Sequence, residues 1–266
     1  MPMRTRFKWL VRLLVFIVLV FFIPVGCALT SHFSGDEGPS DWRTARRDSA
    51  GIAPDAAAHQ GALIQVYAAR AFRWRGALGV HTWIAAKPQG VDHYTRFEVI
   101  GFSVRRGGDA VQVAQGIPDG YWYGSQPALL REIRGGGEVD ALISRLHEAA
   151  RLYPYNHEYR VWPGPNSNTF IAYLGRKVPE LKLNLPPTAI GKDYLPEGGV
   201  FARAPSGSGF QISLAGLLGV TLALEEGFEM NFLGLSAGVD PWPLALNLPG
   251  LGRLGFPTHM PLKAIE

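Results

Sequence analysis

The sequence predicts an α+β protein: an antiparallel sheet with two main helices, then a strand-rich C-terminal part, all preceded by one transmembrane helix. Three observations predict this class. From about position 62, short runs rich in Val, Ile and aromatic residues alternate with turn residues. Apolar residues recur at helical spacing over 138–152. An uncharged apolar stretch lies near the N-terminus, and a hydrophobic content of 47% suffices for a folded core.

Residues 1–29 are predicted to be a membrane anchor or a signal segment. The basic stretch "MPMRTRFKWLVR" precedes a run without charge from Leu13 to Gly35, and about 20 apolar residues can cross a bilayer. Basic residues before this run and acidic residues after it (Asp36, Glu37 and Asp41) predict a body outside the cytoplasm. Three interpretations remain: an uncleaved anchor, a signal peptide cut before Leu29, and a lipoprotein modified at Cys27.

Charge and cysteine content exclude several functions. Four of the 26 basic residues lie before position 13, and the other 22 balance the 22 acidic residues, so nucleic acid is not an expected partner. The basic aromatic stretch 70–76 ("RAFRWRG") is interpreted as a solvated strand edge. Cys27 is the only cysteine, so the body lacks a disulfide and a cysteine nucleophile. The scattered histidines have no HxxxH spacing, and we expect neither a metal nor a cofactor.

The chain divides into a polar linker (30–60), an α+β core (61–198) and a β-rich extension (199–266). In the core, four strand-like runs form an antiparallel meander, and two helices follow further along the chain. The predicted strands are 62–76, 77–88, 94–104 and 111–116, with another at 157–162, and the predicted helices are 127–133, 138–152 and 168–179. In the extension, Phe228, Met230 and Phe232 alternate with Glu229 and Asn231, which predicts strands with one face buried.

A hydroxyl and an imidazole form the candidate catalytic pair. Ser167 stands where a strand gives way to a helix, and the positive end of a helix dipole favours a nucleophile there. His81, inside the apolar strand "LGVHTWIA", is the candidate base, and Glu98 is the candidate group that orients it, with His93 and Tyr94 as others. The competing interpretation is structural, because Asn and Ser in "PNSN" are also typical helix caps.

Two resemblances add to these patterns. The chain resembles a family of bacterial membrane-associated proteins of unknown function, through segments that span roughly 70 to 255. These segments are "RWRGALGVHTWIAAKP", "PDGYWYGS", "YPYNHEYRVWPGPNSNTF", "LPPTAIGKDYL" and "EEGFEMNFLGL". More distantly, "VHTWIA" and "NSNTF" are similar to the histidine strand and the Asn-Cys-x-x-Phe motif of circularly permuted papain-like enzymes, the lecithin retinol acyltransferase-like and PPPDE groups.

The papain-like resemblance implies a catalytic His81 and a nucleophile at position 167, where serine replaces the expected cysteine. A serine hydroxyl is far less acidic than a thiol, so it needs a well-aligned base and an oxyanion hole. The resemblance is therefore compatible with a lost or altered activity.

Two hypotheses about function follow for a single-pass protein of the bacterial inner membrane, with its body facing the periplasm or exterior. One is a binding or assembly module for an envelope component, and the other is a Ser-His hydrolase or acyltransferase acting on envelope material. In the first, a groove contains Asn166, Asn168 and five aromatic residues; core or interface packing is the alternative for these aromatics, and core is the commoner location of such side chains. These aromatic residues are Trp83, Tyr121, Trp122, Tyr123 and Trp162. The membrane bilayer is a partner in both hypotheses.

Overall fold

The N-terminal segment is a continuous helix in this computed structural model, which describes residues 3–35 and 41–256. Helices α1 (Met3–Ile17) and α2 (Ile23–Ser34) join through a π-helical turn at Val18–Phe22. The part from Phe7 to Ser34 is long and apolar enough to cross a membrane, although a signal sequence meets the same criteria. Asp36 and Glu37, the linker residues 36–40 and the end of the extension, 257–266, lie outside the described residues.

The first sheet has five antiparallel strands in the order β4-β3-β2-β1-β5. Its strands are β1 (Ala62–Arg70), β2 (Val80–Lys87), β3 (Thr95–Val99), β4 (Val111–Gln115) and β5 (Ala128–Gly135), and the short helix α3 (Gly101–Arg105) follows β3. The predicted meander of four strands is confirmed. The helix predicted at 127–133 is wrong, since these residues belong to β5 and pair with β1, where Ile133 lies opposite Ile64. Pairing with a distant strand outweighs the local preference.

Two helices, α4 (Gly137–Arg151) and α5 (Ser167–Lys177), pack on one face of this sheet. Both helices were predicted, and the structure confirms them. Three of their four ends lie within one residue of the prediction, and α5 ends two residues earlier than predicted. The strand predicted at 157–162 is wrong, because this segment makes no strand pairing. It folds back on the residues before α5 instead, where the backbone N–H of Arg160 donates to the carbonyl of Pro165 at 2.8 Å.

The opposite face of the five-stranded sheet has a smaller core. Tyr67 and Trp83 are fully buried there, and Trp122 packs against them. The segment 41–61 covers part of this face, since the carboxylate of Asp119 accepts backbone N–H groups of Ile52 and Ala53. This part of the predicted linker is therefore attached to the body. The division of the chain into domains stays a prediction.

The C-terminal part forms a second sheet of seven antiparallel strands in sequential order. They are β6 (Phe201–Arg203), β7 (Gly209–Leu214), β8 (Leu218–Ala223), β9 (Gly227–Phe232), β10 (Leu235–Pro241), β11 (Leu244–Leu248) and β12 (Gly252–Gly255). The α+β class with a strand-rich C-terminal part is thus confirmed. One face of this sheet is buried, and it is the polar one: Glu229 is 3% exposed, whereas its neighbour Phe228 is 43% exposed.

Candidate functional site

The N-terminus of α5 is capped by Asn166. Its side-chain oxygen accepts the backbone N–H groups of Asn168 at 3.0 Å and Thr169 at 3.2 Å, and the Thr169 hydroxyl accepts the N–H of Asn166 at 3.1 Å. The amide nitrogen of Asn166 donates to the carbonyls of Val161 and Ile190. These bonds form a capping box, so the capping interpretation of the sequence is confirmed for Asn166.

Asn168 connects α5 to strand β2. Its side-chain oxygen accepts the Thr82 hydroxyl at 2.9 Å, and its amide nitrogen donates to the Val80 carbonyl at 3.0 Å and to the Ile190 carbonyl at 2.8 Å. Like Asn166, Asn168 is buried, and both of its polar side-chain atoms have partners within the protein. Two residues predicted to bind a ligand therefore hold the helix terminus in place.

Ser167 is the first residue of α5, and the capping bonds leave both its hydroxyl and its backbone N–H free. Its side chain is buried, with the residue 4% exposed. Among the described residues, neither the Ser167 hydroxyl nor its backbone N–H has a hydrogen-bond partner. Both groups lie at the positive end of an 11-residue helix, where unpaired donors favour a negative or electron-rich group.

The side chain of His81 lies on the same face of β2 as that of Trp83. Side chains alternate along β2, and those of Val80 and Thr82 meet the α5 side, so His81 points to the other side with Trp83. Its Nε2 lies 3.1 Å from Glu98 Oε2, and its ring stacks on the Trp122 indole with centroids 3.5 Å apart. No hydrogen bond joins His81 to Ser167 in the described part of the chain. The structure brings together His81 and Glu98, and His81 also lines the cavity that Ser167 lines, so the catalytic role of these residues stays a prediction.

The His81–Glu98 pair is buried, and its electrostatics favour a neutral imidazole beside a carboxylate. Burial lowers the pKa of His81, and this effect outweighs the attraction of Glu98. Burial alone would raise the pKa of Glu98, but the hydrogen bond from His81 and the charge of Arg96 hold that pKa below its ordinary value. Arg96 donates to the same carboxylate oxygen at 2.9 Å. In this arrangement His81 Nε2–H donates to Glu98, which fixes the tautomer of the imidazole.

Ser167 and His81 both line a cavity of about 500 Å³, which we call the Ser167 cleft. Most of its lining is apolar or aromatic, and no Asp or Glu is among the residues that line it. The residues that determine its character are Ser167, Phe72, Trp74, Phe102, Tyr159 and Ile190, together with Leu233 and Leu235. Arg75 and Arg105 also line the cleft, and both side chains are exposed. Burial raises the pKa of Tyr159, and the positive charges of these two arginines partly oppose that rise. A largely apolar cavity with a few convergent polar groups is typical of a ligand site.

The five aromatic residues predicted to line a groove have different locations. Trp122, Tyr123 and Trp162 line the Ser167 cleft, and the Trp162 indole N–H donates to the Leu233 carbonyl at 2.9 Å. Trp83 belongs to the core and donates to the Pro118 carbonyl at 2.7 Å. Tyr121 lies outside the cleft, beneath the guanidinium of Arg46.

Sequence reasoning missed the wall of the cleft that residues 72–75 contribute. The basic aromatic stretch 70–76 was interpreted as a solvated strand edge, but β1 ends at Arg70, and Arg73–Ala77 form a 3₁₀ turn. This turn places Phe72, Trp74 and Arg75 at the cavity. Their clustering in the sequence was the signal that could have identified them, since basic residues interleaved with aromatics can mark an amphiphilic surface as well as a strand edge.

No group of three or more His, Cys, Asp or Glu side chains able to hold a metal ion occurs in the described ranges. The similarity to permuted papain-like enzymes stays a prediction, and no curated protein or solved structure matches the chain significantly. One family model does match. It covers residues 61–194, from the first strand through α5 to the loop that carries Ile190, and it thereby includes Ser167, His81 and Glu98. The chain belongs to the family described as "Protein of unknown function (DUF3750)".

Proposed function

We propose that this protein is a membrane-tethered binding module of the bacterial envelope, and that its ligand is an anionic amphiphile bound in the Ser167 cleft. The observation that carries the proposal is the cleft itself: a largely apolar cavity of about 500 Å³ with no Asp or Glu in its lining, and with a serine at a helix N-terminus whose hydroxyl has no partner among the described residues. A cavity of this size suits a single-chain lipid or another small amphiphile.

The two parts of such a ligand have matching groups in the protein. A carboxylate or phosphate group is stabilised by the Ser167 N–H and hydroxyl and by the positive end of the α5 dipole. Arg75 and Arg105, at the cleft, supply the positive charge for such a head group. The apolar part of the ligand packs among the aromatic side chains of Phe72, Phe102 and their neighbours.

The geometry favours binding over a Ser-His hydrolase or acyltransferase. A serine nucleophile needs a base within about 2.6–3.2 Å of its hydroxyl. His81 lines the same cleft, but its Nε2 is held by Glu98, and no hydrogen bond joins it to Ser167 in the described part of the chain. The cleft-lining residues contain no carboxylate that could replace it. The serine therefore serves here as a hydrogen-bond donor to the ligand.

We place the protein in the inner membrane, with the N-terminus inside and the body facing the periplasm or the cell exterior. The support is the charge pattern. Basic residues precede the uncharged run from Leu13 to Gly35, and the charged residues between its end and Arg43 are all acidic. An uncleaved helix would keep the Ser167 cleft next to the bilayer, where amphiphiles concentrate.

Photo-crosslinking tests the ligand class. The purified full chain in detergent is incubated with palmitate that carries a diazirine near its tail, irradiated, and mapped by mass spectrometry. We expect label on residues of the cleft, competed by unlabelled palmitate but not by the corresponding alcohol, hexadecanol, which lacks the charge. Arg75→Ala with Arg105→Ala should reduce labelling at least fivefold, whereas Arg151→Ala, an exposed arginine of α4, should not change it. Label outside the cleft, or equal competition by the alcohol, would contradict the proposal.

A fluorophosphonate probe distinguishes binding from catalysis. We expect no covalent labelling of Ser167. Labelling that is lost in both Ser167→Ala and His81→Ala would support the hydrolase instead, because only an aligned base makes the serine reactive.

A further inference from the structure

The outward face of the seven-stranded sheet is apolar across all its central strands. Paired positions bring Phe210, Leu222 and Phe228 into one row, and Val239 and Leu246 continue it. The outer face, as we call it, consists of Phe210, Ile212, Leu214, Leu218, Val220, Leu222, Phe228, Met230, Phe232, Leu235, Ala237, Val239, Leu244, Leu246 and Leu248. No charged or hydrogen-bonding side chain stands on this face in β7 to β11. Soluble proteins rarely expose an apolar patch of this extent.

The register of the sheet cannot reverse to bury this face, because the inner face is fixed by buried polar contacts. Asp193 accepts the Asn231 amide at 2.6 Å and the Ser236 hydroxyl at 3.0 Å. Lys192 forms an ion pair with Glu229 at 2.6 Å, with both side chains almost fully buried. A shift of the register by one residue would move Glu229, Asn231 and Ser236 to the solvent side and bury the apolar row. Lys192 and Asp193 would then be buried charges without these partners. The outward direction of the apolar side chains is therefore specified by the fold.

The N-terminal helix lies against the same face. Phe232 on the outer face contacts Phe21, with ring centroids 5.6 Å apart, and Phe22 at 6.4 Å. Ala237, also on the outer face, is only 1% exposed, and the helix packs on its strand. Along the helix, Phe21 lies about 20 Å from Phe7 and about 20 Å from Ser34, at 1.5 Å per residue. The contact with the sheet is thus near the middle of the apolar span.

These observations identify what covers the rest of the face. A helix that crosses the bilayer places its middle residues among the acyl chains, and its contact with Phe232 brings the sheet to the same depth. The backbone groups of β7 to β11 are paired on both sides, so these strands can meet lipid without exposing unsatisfied N–H groups. A protein partner would favour a polar rim around an apolar centre, which the central strands lack. We propose that the outer face of the C-terminal sheet is embedded in the acyl-chain layer of the membrane that the helix spans.

Site-directed fluorescence in vesicles tests this surface. The full chain carries Cys27→Ser and one new cysteine, is labelled with an environment-sensitive nitrobenzoxadiazole dye, and is reconstituted in phosphatidylethanolamine and phosphatidylglycerol. The test sites are Leu222→Cys and Leu246→Cys, on the outer face and exposed in the protein. Leu152→Cys, a comparable exposed leucine directly after α4, is the water-facing control, and Leu14→Cys on the N-terminal helix is the lipid-facing control.

We expect the dye at Leu222 and Leu246 to emit at shorter wavelength than at Leu152 and to be quenched by lipids with a nitroxide on the acyl chain. Aqueous iodide should quench it at least fivefold less than at Leu152. Iodide quenching equal to that at Leu152 would overturn the proposal. So would protection from iodide without nitroxide quenching, which would indicate that a protein or a second copy covers the face. Absence of nitroxide quenching at Leu14 as well would overturn the proposal together with the membrane tether.

Discussion

The ion pair between Lys192 and Glu229 allows a quantitative test of how the two sheets are joined. Lys192 lies in the loop after α5, within the part of the chain that matches the family, and Glu229 lies on β9, outside it. Lys192 Nζ is 2.6 Å from Glu229 Oε2 and 3.1 Å from the Leu185 carbonyl. Burial opposes the charge of Lys192, but the neighbouring carboxylates outweigh it and raise the pKa of the ammonium group. The pair therefore connects the family region to the C-terminal sheet.

The expected size of the effect follows from burial. At 2.6 Å and an effective dielectric constant of about 20, two unit charges attract by about 6 kcal/mol, much of which offsets their desolvation. Lys192→Met leaves Glu229 without its counter-ion, and we expect a loss of about 3–5 kcal/mol in the free energy of unfolding. Lys192→Met combined with Glu229→Leu removes both charges, and the double variant should be more stable than the sum of the two single losses predicts, by at least about 2 kcal/mol.

The measurement is a double-mutant cycle from urea unfolding of the full chain in detergent micelles, followed by tryptophan fluorescence. Arg145 and Glu180 form the matched control, since their atoms are also 2.6 Å apart but the side chains are 41% and 50% exposed. Their coupling should stay below about 1 kcal/mol. If the coupling between Lys192 and Glu229 were no larger than that of the control pair, the inner polar layer would not hold the sheets together in the way described.

Three further predictions concern the site. Asn166→Ala should lower the free energy of unfolding by about 1–2 kcal/mol because it removes the helix cap. Ser167→Ala should change the free energy of unfolding by less than about 0.5 kcal/mol, and thermal unfolding of both variants tests this contrast. Because burial lowers the pKa of His81, the unfolded chain binds more protons below about pH 6.5, so acidification should destabilise the protein by up to about 1.4 kcal/mol per pH unit. His81→Gln should reduce that slope, and an unchanged slope would contradict the assignment of a neutral imidazole. Gly101→Ala should destabilise the fold and weaken palmitate labelling, since its Cβ would overlap the Tyr159 ring; wild-type labelling and stability would contradict this.

Much of the fold follows from local patterns, but the faces of the sheets do not. The period of 3.6 residues over 138–152 and the alternation of turns and apolar runs after position 62 predict α4 and the meander correctly. Alternation on β9 shows that one face is buried without showing which, and the answer depends on Lys192 and Asp193, which are far away in the chain. Burying Glu229 and Asn231 without partners would be unfavourable, and their burial becomes favourable only because Lys192 and Asp193 bond to them.

The candidate site shows the same limit. The sequence correctly indicates a helix that begins at "NSNTF", and His81 and Glu98 were predicted to be neighbours and are hydrogen-bonded. Strand β2 is buried on both faces, so its apolar neighbours do not reveal which side His81 faces. The side follows from Thr82, whose hydroxyl donates to Asn168 of α5, because the neighbouring side chain of His81 then lies on the face of Trp83.

The hairpin between β9 and β10 connects the two proposals. Leu233 and Leu235 line the Ser167 cleft, while Phe232, one residue earlier, contacts the apolar helix at Phe21. The carbonyl of Leu233 accepts the Trp162 indole N–H, which attaches the hairpin to the segment before α5. The cleft therefore adjoins the proposed lipid-facing surface through side chains that are apolar on both sides. If both proposals hold, an amphiphile that leaves the acyl-chain layer along this hairpin enters the cleft beside Leu233 and Leu235, so its tail need not cross water.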